Sequence, residues 1–171
     1  MLKAFFTAAA LAVALAAFLT SGPGQDCLLQ VACWRWKLRP QADTVDMRHR
    51  LKKLKAPFLE LPLLTAYIAR NTRLVELNLA YNEADDAFAV AVSQGIAANC
   101  AVRSLHMHYN AIGDAGAAAL ADTITARSCD LPILDLAFNN IGDAGAEALI
   151  EPMRRRRTSA ILAGNSVMTH L

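Results

Sequence analysis

The sequence has few of the features that chemistry at a protein site usually needs. It contains no glycine-rich phosphate loop, and no serine, threonine or cysteine is framed by a nucleophile turn, which argues against an enzyme. Its four cysteines lack the doubled close pairs of a structural zinc site. These absences predict a protein that is not an enzyme and carries no cofactor.

Basic residues are scarce in the middle of the chain. Residues 71–151 contain eleven acidic side chains but only three basic ones, Arg73, Arg103 and Arg127, for a net charge of −8. Because a nucleic-acid footprint needs clustered positive charge, we expect no nucleic acid on this body. Positive charge is concentrated in the flanks. The run Arg154–Arg157 is expected to offset a helix dipole, and the alternative is a nuclear address or a contact with anionic lipid.

The N-terminal segment 1–24 differs from the rest of the chain. Lys3 precedes the mostly apolar run 4–19, and the breakers TSGPG follow it, which is the layout of a secretory signal. As a helix, the run would reach about 24 Å, short of the hydrocarbon core of about 30 Å. We expect residues 1–24 to be a signal peptide or membrane anchor, giving membrane association or secretory entry. The alternative is an ordinary alanine-rich helix in a cytoplasmic protein.

A repeat fills most of the remaining chain. The blocks LVELNLAYN, VRSLHMHYN and LPILDLAFN begin at positions 74, 102 and 131, so the period is nearly constant at about 28 residues. Within the blocks apolar and polar residues alternate, which predicts strands. The segments between them space small and aliphatic residues three and four apart, which predicts helices. Asp114 and Asp143 stand where N-caps are expected.

This pattern resembles the leucine-rich repeat, L-x-x-L-x-L-x-x-N, and its length is similar to the long subtype of ribonuclease inhibitor and the sensor ends of NLR immune receptors. The resemblance implies an α/β fold: a short solenoid of about three to four β-α repeats, with parallel strands on the concave face and helices on the convex face. The expected organisation is a leader at 1–24, a basic flank at 25–56, the repeat domain at 57–165 and a tail at 166–171.

The repeated leucines and asparagines are expected to serve the scaffold. Leu77, Leu105 and Leu134 should point into a shared core, because stacked repeats bury what a single repeat cannot. The asparagines that close the blocks should turn the chain by bonding to loop backbone groups. The first repeat reads NEADDAF where the later ones have glycines, which leaves its strand-to-helix turn in doubt.

The glycines and cysteines have expected scaffold roles as well. Gly113 and Gly142 are expected to adopt backbone angles closed to other residues, and Gly116 and Gly145 to let the helix approach the strand. The resemblance implies that Cys100 and Cys129 are buried thiols. A disulfide between them is the alternative in an oxidising compartment.

Strand residues that alternate with the leucines should face the concave surface. A mixture of aromatic, imidazole and carboxylate groups is typical of a protein-binding face. The alternative for the aromatic residues is that they only pack against the turn. The candidate partner-binding residues are Glu76, Asn78, Tyr81, Ser104, His106, His108, Tyr109, Asp135 and Phe138.

The tripeptide HMH places two histidines on one strand face, with Asp135 expected beside His106. Two imidazoles and a carboxylate are metal ligands by type. Ordinary exposed histidines explain the pattern more simply, so the sequence predicts no metal site.

The sequence therefore predicts a non-enzymatic module that recognises a protein partner through the concave face. The alternative is a structural or vestigial fragment of a larger repeat protein, such as an NLR-like sensor.

The C-terminal segment AILAGNSV is predicted to form a further strand that aligns Leu162 with Leu134 and Asn165 with the asparagine column. Its open edge would allow self-association.

Overall fold

The structure, a computed structural model, describes residues 36–39, 41–51, 57–126 and 130–166. The predicted leader lies outside these residues. Among the described helices, none combines the length and the hydrophobicity needed to cross a membrane.

Five short parallel strands alternate with four helices in the described chain. The strands form one sheet in sequential order, and consecutive helices pack against each other. The predicted short α/β solenoid is therefore confirmed. The elements are β1 Thr44–Asp46, α1 Pro57–Arg70, β2 Glu76–Asn78, α2 Asp86–Ala97, β3 Ser104–His106, α3 Asp114–Ala126, β4 Ile133–Asp135, α4 Asp143–Arg156 and β5 Ser159–Ile161.

The core lies between the sheet and the helices. Leu77, Leu105 and Leu134 are in register across β2, β3 and β4, and each is fully buried. Successive strand side chains point to opposite faces, so the leucines fill the helix side and leave their polar neighbours on the other. We call that second side the concave face. The helices complete the core with two further buried columns: Leu64, Val92, Leu120 and Leu149, and Ile68, Ile96 and Ile124.

The asparagine that closes each block is bonded to two repeats at once. Asn110 Nδ2 donates to the carbonyls of Met107 at 2.9 Å and Leu79 at 3.1 Å. Its Oδ1 accepts from the backbone N–H of Asn82 at 2.9 Å and Ala84 at 3.0 Å. The predicted turning role is confirmed, and it also ties neighbouring repeats together. Comparable bonds occur at Asn82, Asn139 and Asn165.

A carboxylate from the preceding repeat caps each glycine-containing turn. Asp114 Oδ1 accepts from the backbone N–H of Gly142 at 2.7 Å and of Gly145 at 3.0 Å. The same pair of bonds occurs one repeat earlier, where Asp86 is the acceptor. The prediction that Asp114 and Asp143 are N-caps is wrong, because each is the first residue of its helix and the N-cap of α4 is Gly142.

These glycines are needed for space and not for an unusual backbone angle. Gly142 has a φ of −95°, and Gly113 also lacks a positive φ, so that prediction is wrong. A Cβ on Gly145 would lie 2.6 Å from Asp114 Oδ1 and 2.9 Å from Ile141 Cγ2. Gly145 therefore allows a close approach, but the approaching group is the carboxylate of the neighbouring repeat and not the strand that was expected.

The first of the three aligned repeats makes its turn without glycine. Asp85 is the N-cap of α2, and its Oδ1 accepts from the Phe88 backbone N–H at 3.0 Å. Glu83 supplies a left-handed residue, with a φ of 55°. Asp85 caps the helix of its own repeat. This turn therefore does not have to accommodate a carboxylate from the preceding repeat, which is what the glycines of the later turns make room for.

Strand β1 lies in the basic flank, where no strand was predicted. It pairs in parallel with β2 and buries Val45 and Met47 in line with Leu77 and Leu79. The interval from Val45 to Leu77 is longer than the interval from Leu77 to Leu105. An alignment at a constant period therefore does not reveal this strand.

Strand β5 forms as predicted, but in a different register. Leu134 pairs with Ala160, so Leu162 aligns with Leu136 and the predicted alignment of Leu162 with Leu134 is wrong. The cause is a shortened last period, because the interval from Leu134 to Ala160 is smaller than that between the preceding aligned leucines. Asn165 keeps its predicted place in the asparagine column.

The predicted burial of Cys100 is wrong. Its side chain is exposed, and it is disulfide-bonded. The preceding Asn99 takes the interior position and donates from Nδ2 to the carbonyls of Ile68 at 2.6 Å and Asn71 at 2.9 Å. The remaining cysteines, Cys27, Cys33 and Cys129, lie outside the described residues.

The arginine run ends helix α4, as expected from the helix dipole. Arg156 Nη2 donates to the Thr125 carbonyl in the last turn of α3 at 3.1 Å. Arg155 Nε donates to Glu151 Oε1 at 2.7 Å, and this hydrogen bond holds the pKa of the Glu151 carboxyl below its usual value. Part of the basic run is therefore engaged in local contacts.

Candidate functional site

The concave face carries the side chains that the sequence placed there. The strand register aligns Glu76 with Ser104 and Ile133, and Asn78 with His106 and Asp135. Neighbouring strands in a sheet lie about 4.8 Å apart, so side chains within each row are in contact range. The unpredicted strand β1 extends the two rows by Thr44 and Asp46.

The centre of this face is a cluster of two imidazoles and one carboxylate. Asp135 Oδ2 lies 3.0 Å from His108 Nδ1 and 3.8 Å from His106 Nδ1. The three side chains are 16% to 25% exposed, so they are partly withdrawn from solvent but still reachable. We call His106, His108 and Asp135 the concave-face cluster.

The outer atoms of the cluster are held by neighbouring groups. Ser104 Oγ lies 2.8 Å from His106 Nε2, and the Ala137 backbone N–H donates to Asp135 Oδ1 at 3.1 Å. Glu76 Oε1 lies 3.9 Å from His106 Nε2. These contacts orient the His106 ring and the Asp135 carboxylate so that His106 Nδ1 and Asp135 Oδ2 lie toward each other.

His108 Nδ1 has an unusual environment. The atom is buried and lies 3.0 Å from Asp135 Oδ2, but the pair does not have the angles of a hydrogen bond. Within the described part of the chain this nitrogen has no hydrogen-bond partner. Buried polar atoms are rarely left this way without a structural or functional reason.

An aromatic column borders the cluster, formed by His49, Tyr81, Tyr109 and Phe138. Consecutive ring centroids are 4.8, 4.6 and 4.4 Å apart, and the last two pairs are within 10° of parallel. Each residue has a φ between 53° and 59°, a region that aromatic side chains rarely adopt. Stacking across the repeats accompanies this backbone conformation.

The column is packed and exposed at the same time. Tyr109 and Phe138 stack on each other, yet they are 43% and 46% exposed. The alternative that these rings only pack against the turn therefore does not account for their accessible surface. Tyr81 lies between His49 and Tyr109 and is less exposed.

Two isoleucines add apolar surface at the C-terminal side of the concave face. Ile133 and Ile161 are 43% and 47% exposed, and Ile161 pairs with Asp135 across β4 and β5. The candidate residues derived from the sequence did not include Ile161. The two-residue difference in the register of β5 keeps Ile161 on the same face and changes only its neighbour, from Ile133 to Asp135. Sequence reasoning also missed His49, since the irregular spacing of β1 concealed the first member of the aromatic column.

The N-terminal side of the face is charged. Arg48 forms a bidentate contact with Asp46, with its closest N···O distance at 2.7 Å. This hydrogen bonding lowers the pKa of the Asp46 carboxyl. Arg73 pairs with Asp43 at 2.8 Å nearby. The face therefore changes from paired charges at β1, through the concave-face cluster, to apolar side chains at β4 and β5.

Comparisons with known proteins agree with this architecture. Residues 98–121 and 127–149 match the family model described as Leucine Rich repeat. A solved structure titled "Leiomodin-1 Actin-Binding Site 2 (ABS2)" is similar, with a TM-score of 0.57 at 18% identity, covering 85% of this chain and 80% of that one. No curated protein sequence matches the chain. The fold is thus a short leucine-rich repeat solenoid; nothing in these matches separates the ribonuclease-inhibitor subtype from others.

Proposed function

We propose that this protein is a non-enzymatic binding module that recognises another protein through its concave face. The observation that carries the proposal is the exposed apolar surface of Tyr109, Ile133, Phe138 and Ile161 beside the concave-face cluster. Exposed apolar side chains bordered by polar ones are typical of protein interaction sites.

The composition of the face supports a protein as ligand. Aromatic residues are the usual anchors of protein interfaces, where a few of them supply most of the binding free energy. Tyr109 and Phe138 are held by ring stacking and by the backbone, so binding would cost little side-chain entropy. Glu76 and Asp135 can supply polar contacts that select the partner.

The structural neighbour adds a specific ligand to test. Its title names an actin-binding site, which makes actin a rational first ligand although the likeness extends only to the fold. The predicted partner-binding residues on the concave face remain those derived from the sequence, extended by Ile133 and Ile161.

Affinity capture with the full-length protein tests the proposal. Ile133→Glu places a charge in the apolar part of the concave face, and Ile150→Glu places the same charge on α4, where Ile150 is 37% exposed. We expect Ile133→Glu to reduce retention of captured proteins or of purified actin at least tenfold. The matched Ile150→Glu variant should retain them as wild type does.

A second variant tests the aromatic column without straining the backbone. Tyr109→Asn removes the ring, and asparagine tolerates the left-handed conformation that Tyr109 adopts. Loss of the same partners in Tyr109→Asn and Ile133→Glu would identify one surface. Equal retention by both variants and by wild type, with unchanged circular dichroism, would refute the concave face as the binding surface.

A further inference from the structure

We propose that His106, His108 and Asp135 form a binding site for a divalent first-row transition-metal ion, with Zn²⁺ as the ion to be tested. The three side chains could offer one ligand atom each, and these atoms lie within 4.8 Å of one another. This site does not depend on the partner-binding proposal, since an ion can bind whether or not a protein does.

The separations between the ligand atoms suit a tetrahedral ion. Zinc binds imidazole nitrogen and carboxylate oxygen at about 2.0–2.2 Å, which places neighbouring ligands about 3.3–3.5 Å apart in a tetrahedron. Asp135 Oδ2 lies 3.0 Å from His108 Nδ1 and 3.8 Å from His106 Nδ1. These two distances bracket the required value. The ligand atoms of the two imidazoles lie within 4.8 Å of each other, so binding would draw the two rings closer together.

The backbone makes the site rigid. His106 ends β3 and Asp135 ends β4, where the register pairs them directly. His108 follows two positions after His106, so both imidazoles leave the same side of the chain. Ligands on neighbouring strands of a packed sheet lose little freedom when an ion binds.

The hydrogen bonds that His106 and Asp135 make to neighbouring groups leave His106 Nδ1 and Asp135 Oδ2 free to bind the ion. With Ser104 Oγ at 2.8 Å from His106 Nε2, that nitrogen can donate to the hydroxyl while Nδ1 binds metal. Asp135 Oδ1 accepts from the Ala137 backbone N–H, which leaves Oδ2 directed at the histidines. Histidine ligands in metal sites are commonly oriented through their second nitrogen, and carboxylate ligands are hydrogen-bonded in turn.

The buried His108 Nδ1 is the observation that favours an ion over an ordinary histidine pair. This nitrogen faces a carboxylate oxygen without forming a hydrogen bond to it. A metal between the two atoms would satisfy both, whereas a direct contact leaves the nitrogen unsatisfied. The side chains remain partly exposed, so a fourth position is open to water or to a donor from another molecule.

Isothermal titration of the full-length protein with Zn²⁺ tests the site. We expect binding that weakens at least tenfold in His108→Gln and in Asp135→Asn. Ser104→Ala, which removes only an outer contact, should weaken it about tenfold. His49→Gln is the matched control, because His49 lies on the same face but outside the cluster, and it should bind within twofold of wild type.

Spectroscopy identifies the ligands. Co²⁺ added in place of Zn²⁺ should give the visible absorption of a four-coordinate site with nitrogen and oxygen ligands, and His108→Gln should abolish it. Circular dichroism of each metal-free variant establishes that it is folded. If Asp135→Asn is unfolded, His106→Gln replaces it as the second ligand variant.

Three results would overturn the proposal. One is the absence of Zn²⁺ binding to the wild-type protein. Another is equal affinity in wild type and in the folded ligand variants, which would place the ion elsewhere, for example at cysteines. The third is a loss of affinity in His49→Gln as large as in His108→Gln. None of these results bears on partner capture, which is measured without added metal.

Discussion

Asp114 Oδ1 accepts the backbone N–H of Gly142 at 2.7 Å, across a boundary between two repeats. The same oxygen accepts the N–H of Gly145 at 3.0 Å. A single carboxylate therefore satisfies two amide groups at the start of the next helix, where the helix dipole also favours negative charge. This relationship explains why the motif G-D-A-G repeats as a unit.

Removal of this carboxylate should loosen the stacking of α3 on α4. We expect Asp114→Ala to lower the free energy of unfolding by about 1–3 kcal/mol, because it leaves two amide groups without their charged acceptor. Asp122→Ala, an exposed aspartate on the same helix, should change it by less than about 0.5 kcal/mol. Urea unfolding measures both values, and equal changes would contradict the capping role.

The aligned leucines provide a test of the core. Leu105→Ala and Leu134→Ala should each lower the free energy of unfolding by about 2–5 kcal/mol, since both side chains are fully buried. Ile133→Ala is the control, because Ile133 neighbours Leu134 but faces the concave side and is 43% exposed. Thermal and urea unfolding should separate the two classes. A small effect at Leu105 would refute the register.

The sequence revealed the parts of the fold that repeat at a constant period. The columns through Leu77 and Asn82 were predicted because each apolar or amide position recurs at a nearly constant interval of about 28 residues. Strand β1 and the register of β5 were not predicted correctly. The interval from Val45 to Leu77 is longer than the repeat period, and the interval from Leu134 to Ala160 is shorter. Changes in loop length at the two ends hide periodicity while leaving the sheet pairing intact.

The sequence placed the three side chains of the concave-face cluster close together but did not predict their contacts. Alternation along the strand placed His106 and His108 on one face, and the repeat alignment placed Asp135 beside them. Tyr109 stacks on Phe138, and both residues have a left-handed backbone conformation. Residue type alone does not predict these φ values. Likewise, the Asp114 carboxylate acts on the helix of the next repeat, which local capping rules do not anticipate.

Gly164 continues the aromatic column as a residue without a side chain. Its φ is +73°, and a Cβ at this position would lie 2.6 Å from Phe138 Cε1. We expect Gly164→Ala to lower the free energy of unfolding by about 1–3 kcal/mol, through backbone strain and collision with the ring. Urea unfolding of the variant and of wild type measures this difference.

A double substitution separates the two causes. Phe138→Asn removes the ring and tolerates the left-handed backbone at that position. Gly164→Ala should therefore cost less in the Phe138→Asn background than in wild type, with a coupling of about 0.5 kcal/mol or more in a double-mutant cycle. Additive effects would mean that the ring does not restrict residue 164.

Strand β5 is the last strand of the described sheet, and no described strand pairs with its outer edge. The residues Ser159, Ile161 and Ala163 direct backbone groups toward β4: the Ser159 N–H donates to Pro132, and the carbonyls of Ile161 and Ala163 accept from Leu136 and Phe138. Backbone groups alternate in direction along a parallel strand, so the N–H groups of Ala160 and Leu162 point away from the sheet. Exposed edges of this kind promote pairing between chains.

We predict that the protein self-associates through this edge. Size-exclusion chromatography with light scattering should show dimers or larger species that diminish in Ala160→Pro, because proline removes an outward N–H and leaves the inward bonds of β5 in place. Ile161→Pro is the contrasting variant. The backbone of Ile161 faces β4, where Leu134 pairs with Ala160. Proline at position 161 would interrupt this pairing and should lower the melting temperature as well. A wild-type protein that is monomeric at high concentration, or association unchanged in Ala160→Pro, would show that this edge does not mediate self-association.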